Sequence, residues 1–156
     1  MTSVPSSNII TVMLANYLTN NDPDKWLDMM NEKSKELSMT NTKWFNASGA
    51  AAVAFKGYYS CTERYDNNQS NQTTARDLVI MTYNFIKKYP YILKYTSKPV
   101  VAVKEGTPYE EAFETYNYSI PGADYGLKGV DGSKTGSSPE GAFNSILIPS
   151  SMAISE

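Results

Sequence analysis

The chain has 156 residues, the length of one ordinary domain able to bury a real core. Its formal net charge is -2 with both signs spread along the chain, which argues against nucleic acid or another polyanion as a partner. Histidine is absent, so Ser-His-Asp and Cys-His catalysis are excluded and a typical zinc site is disfavoured; lysine, carboxylate or tyrosine must carry any acid–base work.

Residues 8–19 are apolar on almost every face (Ile9, Ile10, Val12, Met13, Leu14, Ala15, Tyr17, Leu18), a pattern that predicts a buried helix. Asn20-Asn21-Asp22 breaks it. A second helix is expected to open with Asp22 as N-cap and Pro23 at its first position, and to end near Leu37-Ser38. Trp26, Met29, Met30, Lys33 and Leu37 recur at helical spacing and predict its core-facing stripe. Residues 40–72 read as irregular, with residues 50–55 as the only apolar stretch. Cys61 stands alone, so no internal disulfide is available, and a catalytic role is disfavoured without histidine. Thr74 and Asp77 form a variant capping box that starts a third helix, with Leu78, Met81, Phe85 and Ile86 as its stripe and Pro90 as its stop.

Beyond Pro90 the pattern changes to strands. Residues 100–103 and 113–118 predict a strand pair around Gly106-Thr107-Pro108, and Pro121-Gly122 marks a turn. Residues 133–137 and 142–148 predict a final hairpin around residues 138–141. Helices first and strands last make the class α+β. The N-terminus has no charged segment followed by an apolar one, and no apolar run is long enough to span a bilayer. Four Asn-x-Ser/Thr sequences, at Asn46, Asn68, Asn71 and Asn117, are explained by composition.

Chemistry concentrates in Lys134-Thr135-Gly136. On a strand edging a cleft, the ammonium supplies positive charge and attracts a carboxylate, and the threonine hydroxyl hydrogen-bonds it. Glycine lets a substrate lie against the strand as another strand would. The N–H of the following residue, Ser137, suits an oxyanion. Ser6-Ser7-Asn8 lies far upstream, and Ser6 or Ser7 also suits the N-cap of the first helix.

These residues resemble two of the three motifs of the penicillin-binding serine acyl-transfer family. Several further segments occur in the order and spacing of one branch: Val4-Pro5-Ser6-Ser7-Asn8, Met30-Asn31-Glu32-Lys33, Met39-Thr40-Asn41-Thr42, Asn46-Ala47-Ser48-Gly49, Thr73-Thr74-Ala75-Arg76-Asp77 and Val130-Asp131-Gly132-Ser133-Lys134-Thr135-Gly136. Over residues 4–146 the chain is similar to low-molecular-mass penicillin-binding proteins, the serine D-alanyl-D-alanine carboxypeptidases of peptidase family S11, most of all those of Gram-positive cocci. A class A β-lactamase is the poorer match.

The resemblance implies an acyl-enzyme hydrolase that trims the terminal D-alanine of peptidoglycan stem peptides ending in D-Ala-D-Ala. It implies binding of β-lactams, an extracytoplasmic setting at the cell wall, and no metal or organic cofactor. Carried over, Ser6 relays a proton, Asn8 holds the substrate amide, and Lys134 completes the catalytic set; Thr135, Gly136 and Ser137 contact substrate. The implied fold is the helical lobe plus part of the antiparallel sheet of the serine β-lactamase and DD-peptidase fold. Residues 1–95 would be mainly helical, 96–148 would hold the strands, and 149–156 would form a divergent tail.

The departures are specific. No serine has a lysine three residues later, so the nucleophile motif Ser-x-x-Lys is missing. The family's proline after Asn46 is Ala47, its helix-ending glycine is Ser38, and its leucine before Lys134 is Ser133. Both termini fall inside the family domain. The expectation is a partial catalytic domain, inactive alone, with an unpaired sheet edge that favours self-association. Its alternatives are a non-catalytic carboxylate- or peptidoglycan-binding module and the product of a disrupted gene.

Overall fold

The computed structural model describes residues 4–51, 62–138 and 142–149. The apolar residues 52–55, Cys61, the turn at residues 139–141 and residues 150–156 of the expected tail lie outside the described residues. The chain divides into two compact units. One is Asn8–Lys88; the other joins the residues up to Ser7 to the chain from Tyr89 onward. The class is α+β, with helices first and two antiparallel strand pairs after them.

In the helical unit, α1 spans Asn8–Thr19 and packs against α2, Pro23–Glu36. The start of α2 is as expected: Pro23 occupies the first turn and the Asp22 carboxylate accepts from the Lys25 N–H at 2.9 Å. At its end, the N–H groups of Leu37, Ser38 and Met39 return to the carbonyls of Lys33, Lys35 and Ser34. That closure places Ser38 in the left-handed region, φ 59°, where glycine fits without strain.

Two burial expectations are corrected. α1 is not buried all round: Ala15 and Thr19 are enclosed, whereas Ile9, Met13, Leu14, Tyr17 and Leu18 are exposed, Tyr17 by 82%. Hydrophobicity marks a surface that needs a cover but does not supply the neighbouring chain. On α2 the enclosed side chains are Asp24, Leu27 and Ser34, not the Trp26, Met29, Met30, Lys33 and Leu37 stripe. The buried face of α2 is largely polar, because it holds irregular chain by hydrogen bonds. Asp24 accepts from the N–H groups of Glu63 and Arg64 at 2.8 and 3.0 Å. Asn31 donates to the Trp44 carbonyl and accepts from its N–H, both at 3.0 Å, and Ser34 accepts from the Trp44 indole at 2.7 Å.

The irregular region from residue 40 onward is ordered by the same means. Asn71 accepts from the N–H groups of Phe45 and Asn46, and the Asn46 amide donates to the Gln69 carbonyl. A single antiparallel bridge joins Lys43 to Gln72. Asn46 and Asn117 are 0% and 2% exposed, which removes both as glycan acceptors in this fold. α3 spans Ala75–Lys88, and its Asp77 N–H donates to the capping Thr74 hydroxyl at 3.2 Å. The reciprocal half of the expected box is absent. The buried Asp77 carboxylate instead accepts from the Asn41 N–H at 2.9 Å and the Thr42 hydroxyl at 2.7 Å. In the expected α3 stripe, Leu78, Met81 and Ile86 are half-buried and Phe85 is exposed.

In the second unit, Pro90 opens a 3-10 turn, Pro90–Ile92, that runs into a short helix, α4, Leu93–Thr96. Neither was expected, since a proline that stops one helix also suits the first turn of the next. β1, Val100–Val103, pairs antiparallel with β2, Glu111–Glu114. β2 starts two residues earlier than residue 113 and ends well before residue 118. The Thr115 hydroxyl accepts from the Asn117 N–H, and the Asn117 side chain accepts from the Ser119 N–H, so a side-chain turn replaces the ladder there. β3, Val130–Ser138, pairs antiparallel with β4, Ala142–Pro149, with a register shift between Val130 and Ser133. Among the described residues no helix is long and apolar enough to cross a membrane.

Candidate active site

The third-motif residues lie along β3. Lys134 pairs with Ile146, Thr135 with Ser145, Gly136 with Asn144 and Ser137 with Phe143. Lys134, Thr135 and Gly136 are half-buried, and Ser137 is exposed. Among the described residues β4 is the only strand paired with β3, so no second strand occupies its other edge.

Ser6 precedes α1 in a left-handed conformation, φ 51°. Such a backbone is uncommon for a residue with a Cβ and is concentrated at functional sites. The Lys134 ammonium donates to the Ser6 hydroxyl oxygen at 2.6 Å, across a separation of 128 residues. It donates also to the Thr135 carbonyl. Burial disfavours the charged ammonium and holds the Lys134 pKa below its ordinary 10.5. Lys134 is therefore a cation already partly stripped of water, with a hydroxyl as neighbour and, among the described residues, no carboxylate as hydrogen-bond partner. Such a group attracts an anionic ligand and gives up a proton more readily than a surface lysine.

Asn8 is the first residue of α1 and is exposed. Among the described residues no group of three or more histidine, cysteine or carboxylate side chains is placed to hold a metal. The cavity lined by Val12, Ala15, Trp26 and Leu27 lies within the helical unit and contains none of the motif residues. Gly132 and Ser133 immediately precede Lys134 and both have positive φ, 100° and 127°. Of the two, only Gly132 is a residue type that signals such a backbone in the sequence.

The profile of the D-alanyl-D-alanine carboxypeptidase family, peptidase S11, matches residues 1–149. Among solved structures, the chain is similar to a peptidoglycan synthesis regulatory factor (PBP3) from Streptococcus pneumoniae, with 26% identity and a TM-score of 0.82. It is also similar to penicillin-binding protein D2 from Listeria monocytogenes in its cefotaxime-bound and ampicillin-bound forms, with 25% identity and a TM-score of 0.74 for each. Each likeness covers 95% of this chain, but only 39%, 50% and 51% of the respective solved chains. Because the family profile matches residues 1–149 of this chain's 156 and the penicillin-binding fold is shared, the chain belongs to the D-alanyl-D-alanine carboxypeptidase family.

Proposed function

We propose that this chain carries the substrate-recognising half of a serine D-alanyl-D-alanine carboxypeptidase site, acting on peptidoglycan stem peptides outside the cell membrane. The observation that carries the reading is the 2.6 Å hydrogen bond from Lys134 to Ser6. In this reading the Lys134 ammonium and Thr135 hydroxyl bind the terminal carboxylate of D-Ala-D-Ala or of a β-lactam. Gly136 lets the ligand approach the strand, and the Ser137 N–H stabilises the developing oxyanion. Ser6, hydrogen-bonded to a cation with an easily surrendered proton, passes a proton to the leaving amine. Asn8 holds the substrate amide.

The acyl-forming serine is not in this sequence, because no Ser-x-x-Lys occurs. Hydrolysis therefore requires that motif from residues outside this sequence, and these 156 residues by themselves bind without acylation. Ser6 is not assigned as a substitute nucleophile: the Lys134 ammonium donates to it, and among the described residues no carboxylate is hydrogen-bonded to its hydroxyl.

Two readouts on one sample test the proposal. Titration of the 15N-labelled chain with a peptide ending in D-Ala-D-Ala is expected to shift the amides of Thr135, Gly136 and Ser137, and Lys134→Ala is expected to abolish the shifts. Incubation with a fluorescent penicillin followed by a denaturing gel is expected to show no labelled band. An absence of amide shifts at millimolar peptide sinks the recognition role, and a covalent band that disappears in Ser6→Ala sinks the assignment of Ser6.

A further inference from the structure

We infer that Gly132 is a positioning residue: its lack of a side chain lets β3 seat against the end of α4, and this contact aims Lys134 at Ser6. The inference rests on the proposed role of the Lys134–Ser6 pair and adds what holds it in place.

Gly132 is buried and has φ 100°. A Cβ added there would lie 2.2 Å from the Thr96 carbonyl oxygen, 2.6 Å from the Thr96 carbonyl carbon and 3.0 Å from the Ser97 nitrogen. The obstacle is therefore backbone, which cannot rotate away as a side chain can.

The helix end that presents this backbone is pinned on both sides. The Ser97 N–H and hydroxyl both return to the Leu93 carbonyl, and the Lys98 N–H returns to the Tyr95 carbonyl. Three residues beyond Ser97 the chain enters β1, which is paired to β2. Thr96 itself is buried. A methyl group at 132 must therefore push β3 and the end of α4 apart, by more than about 1 Å to restore ordinary van der Waals contact.

Lys134 is two residues further along. Between Val130 and Ser133 β3 advances three residues, while β4 advances two from Pro149 to Leu147. The extra residue is a β-bulge, a device that redirects the side chains after it. Ser133 completes the bulge at φ 127°, and Lys134 resumes regular pairing with Ile146. The 2.6 Å bond to Ser6 is lost beyond about 3.5 Å, so a displacement near 1 Å at the bulge suffices to break it.

The test is NMR on the full chain with labelled lysine and serine. In the wild type we expect a nuclear Overhauser contact between the Lys134 ε-methylene and the Ser6 β-methylene, and a Lys134 titration midpoint below 10.5. Gly132→Ala is expected to remove the contact and move the midpoint up toward that of an ordinary lysine, with circular dichroism still showing a folded chain. Ser133→Val should do the same by a different route, because a β-branched residue does not accept the bulge backbone. Ser133→Gly accepts that backbone and should keep both signals.

A folded Gly132→Ala or Ser133→Val chain with contact and midpoint unchanged overturns the inference. Unfolding of both variants also overturns it, since Gly132 would then hold the fold and not aim one side chain. Neither readout uses peptide or penicillin, so its failure is distinguishable from failure of the proposed ligand class.

Discussion

Ser38 shows how one residue can carry a conformational cost in full view. It closes α2 at φ 59° and is exposed. For a residue with a Cβ that conformation costs about 1–2 kcal/mol, part of which glycine returns as entropy lost on folding. Ser38→Gly should therefore raise stability by about 1 kcal/mol, read as a higher urea midpoint at unchanged slope. Lys134 offers a second residue-scale prediction, through its lowered pKa. Between the folded value and the unfolded value of 10.5 the unfolded chain binds more protons, so stability rises with pH through that window. Below the folded value the burial penalty is fully present. The melting temperature of Lys134→Met relative to wild type should therefore be highest near neutral pH and fall as pH rises toward 10.5. A difference independent of pH would show that Lys134 is not desolvated in the folded chain.

Among the elements, α2 and α3 are held to irregular chain by buried polar side chains more than by apolar stripes. Asp77 is 1% exposed, and its carboxylate satisfies the Asn41 N–H and the Thr42 hydroxyl. Removing the acceptor strands the Asn41 N–H and leaves the Thr42 hydroxyl only its contact with the Thr73 hydroxyl at 2.9 Å, and a stranded donor costs about 1–3 kcal/mol. Asp77→Ala should lower stability by about 1–3 kcal/mol in equilibrium urea unfolding, above the cost of truncating a surface carboxylate. The Arg64–Asp28 pair illustrates the contrast. Its guanidinium forms two hydrogen bonds to the carboxylate, at 3.0 and 2.6 Å, and Tyr65 adds a third at 2.8 Å. The Arg64 hydrogen bonds, followed by that of Tyr65, hold the Asp28 pKa below its ordinary value of 3.8, but solvent screens the pair.

For the whole molecule, the exposed face of α1 governs behaviour in solution. Ile9, Met13 and Tyr17 follow one another at four-residue spacing, Leu14 and Leu18 lie alongside, and α1 contains no charged residue. A contiguous apolar surface of this kind favours association, and β3 and β4 each have one edge unpaired among the described residues. The chain spans about two fifths to one half of the solved chains it resembles. We expect the isolated chain to self-associate with rising concentration in light scattering. Met13→Lys combined with Tyr17→Lys should shift it toward monomer without loss of helical signal. A strictly monomeric wild type at high concentration would refute this expectation.

What the amino-acid sequence determined by itself is local. Proline and aspartate placed the start of α2, threonine capped α3, apolar β-branched runs marked β1 and β4, and the Lys134-Thr135-Gly136 motif pointed to the family. These signals act over a few residues, through dihedral preference, capping and periodicity, and so survive in a one-dimensional reading. The tertiary structure decided what depends on neighbours distant in the chain. It set which face of α2 is buried, because that face holds irregular chain through Asp24, Asn31 and Ser34. It turned the Asp77 carboxylate away from its own helix cap toward Asn41 and Thr42. It left half of α1 exposed despite its composition. It also brought Lys134 to within 2.6 Å of Ser6 and seated Gly132 on the end of α4. Hydrogen bonds and close backbone contacts of this kind need atoms placed within a few tenths of an ångström, and only closure of the chain in three dimensions supplies that placement.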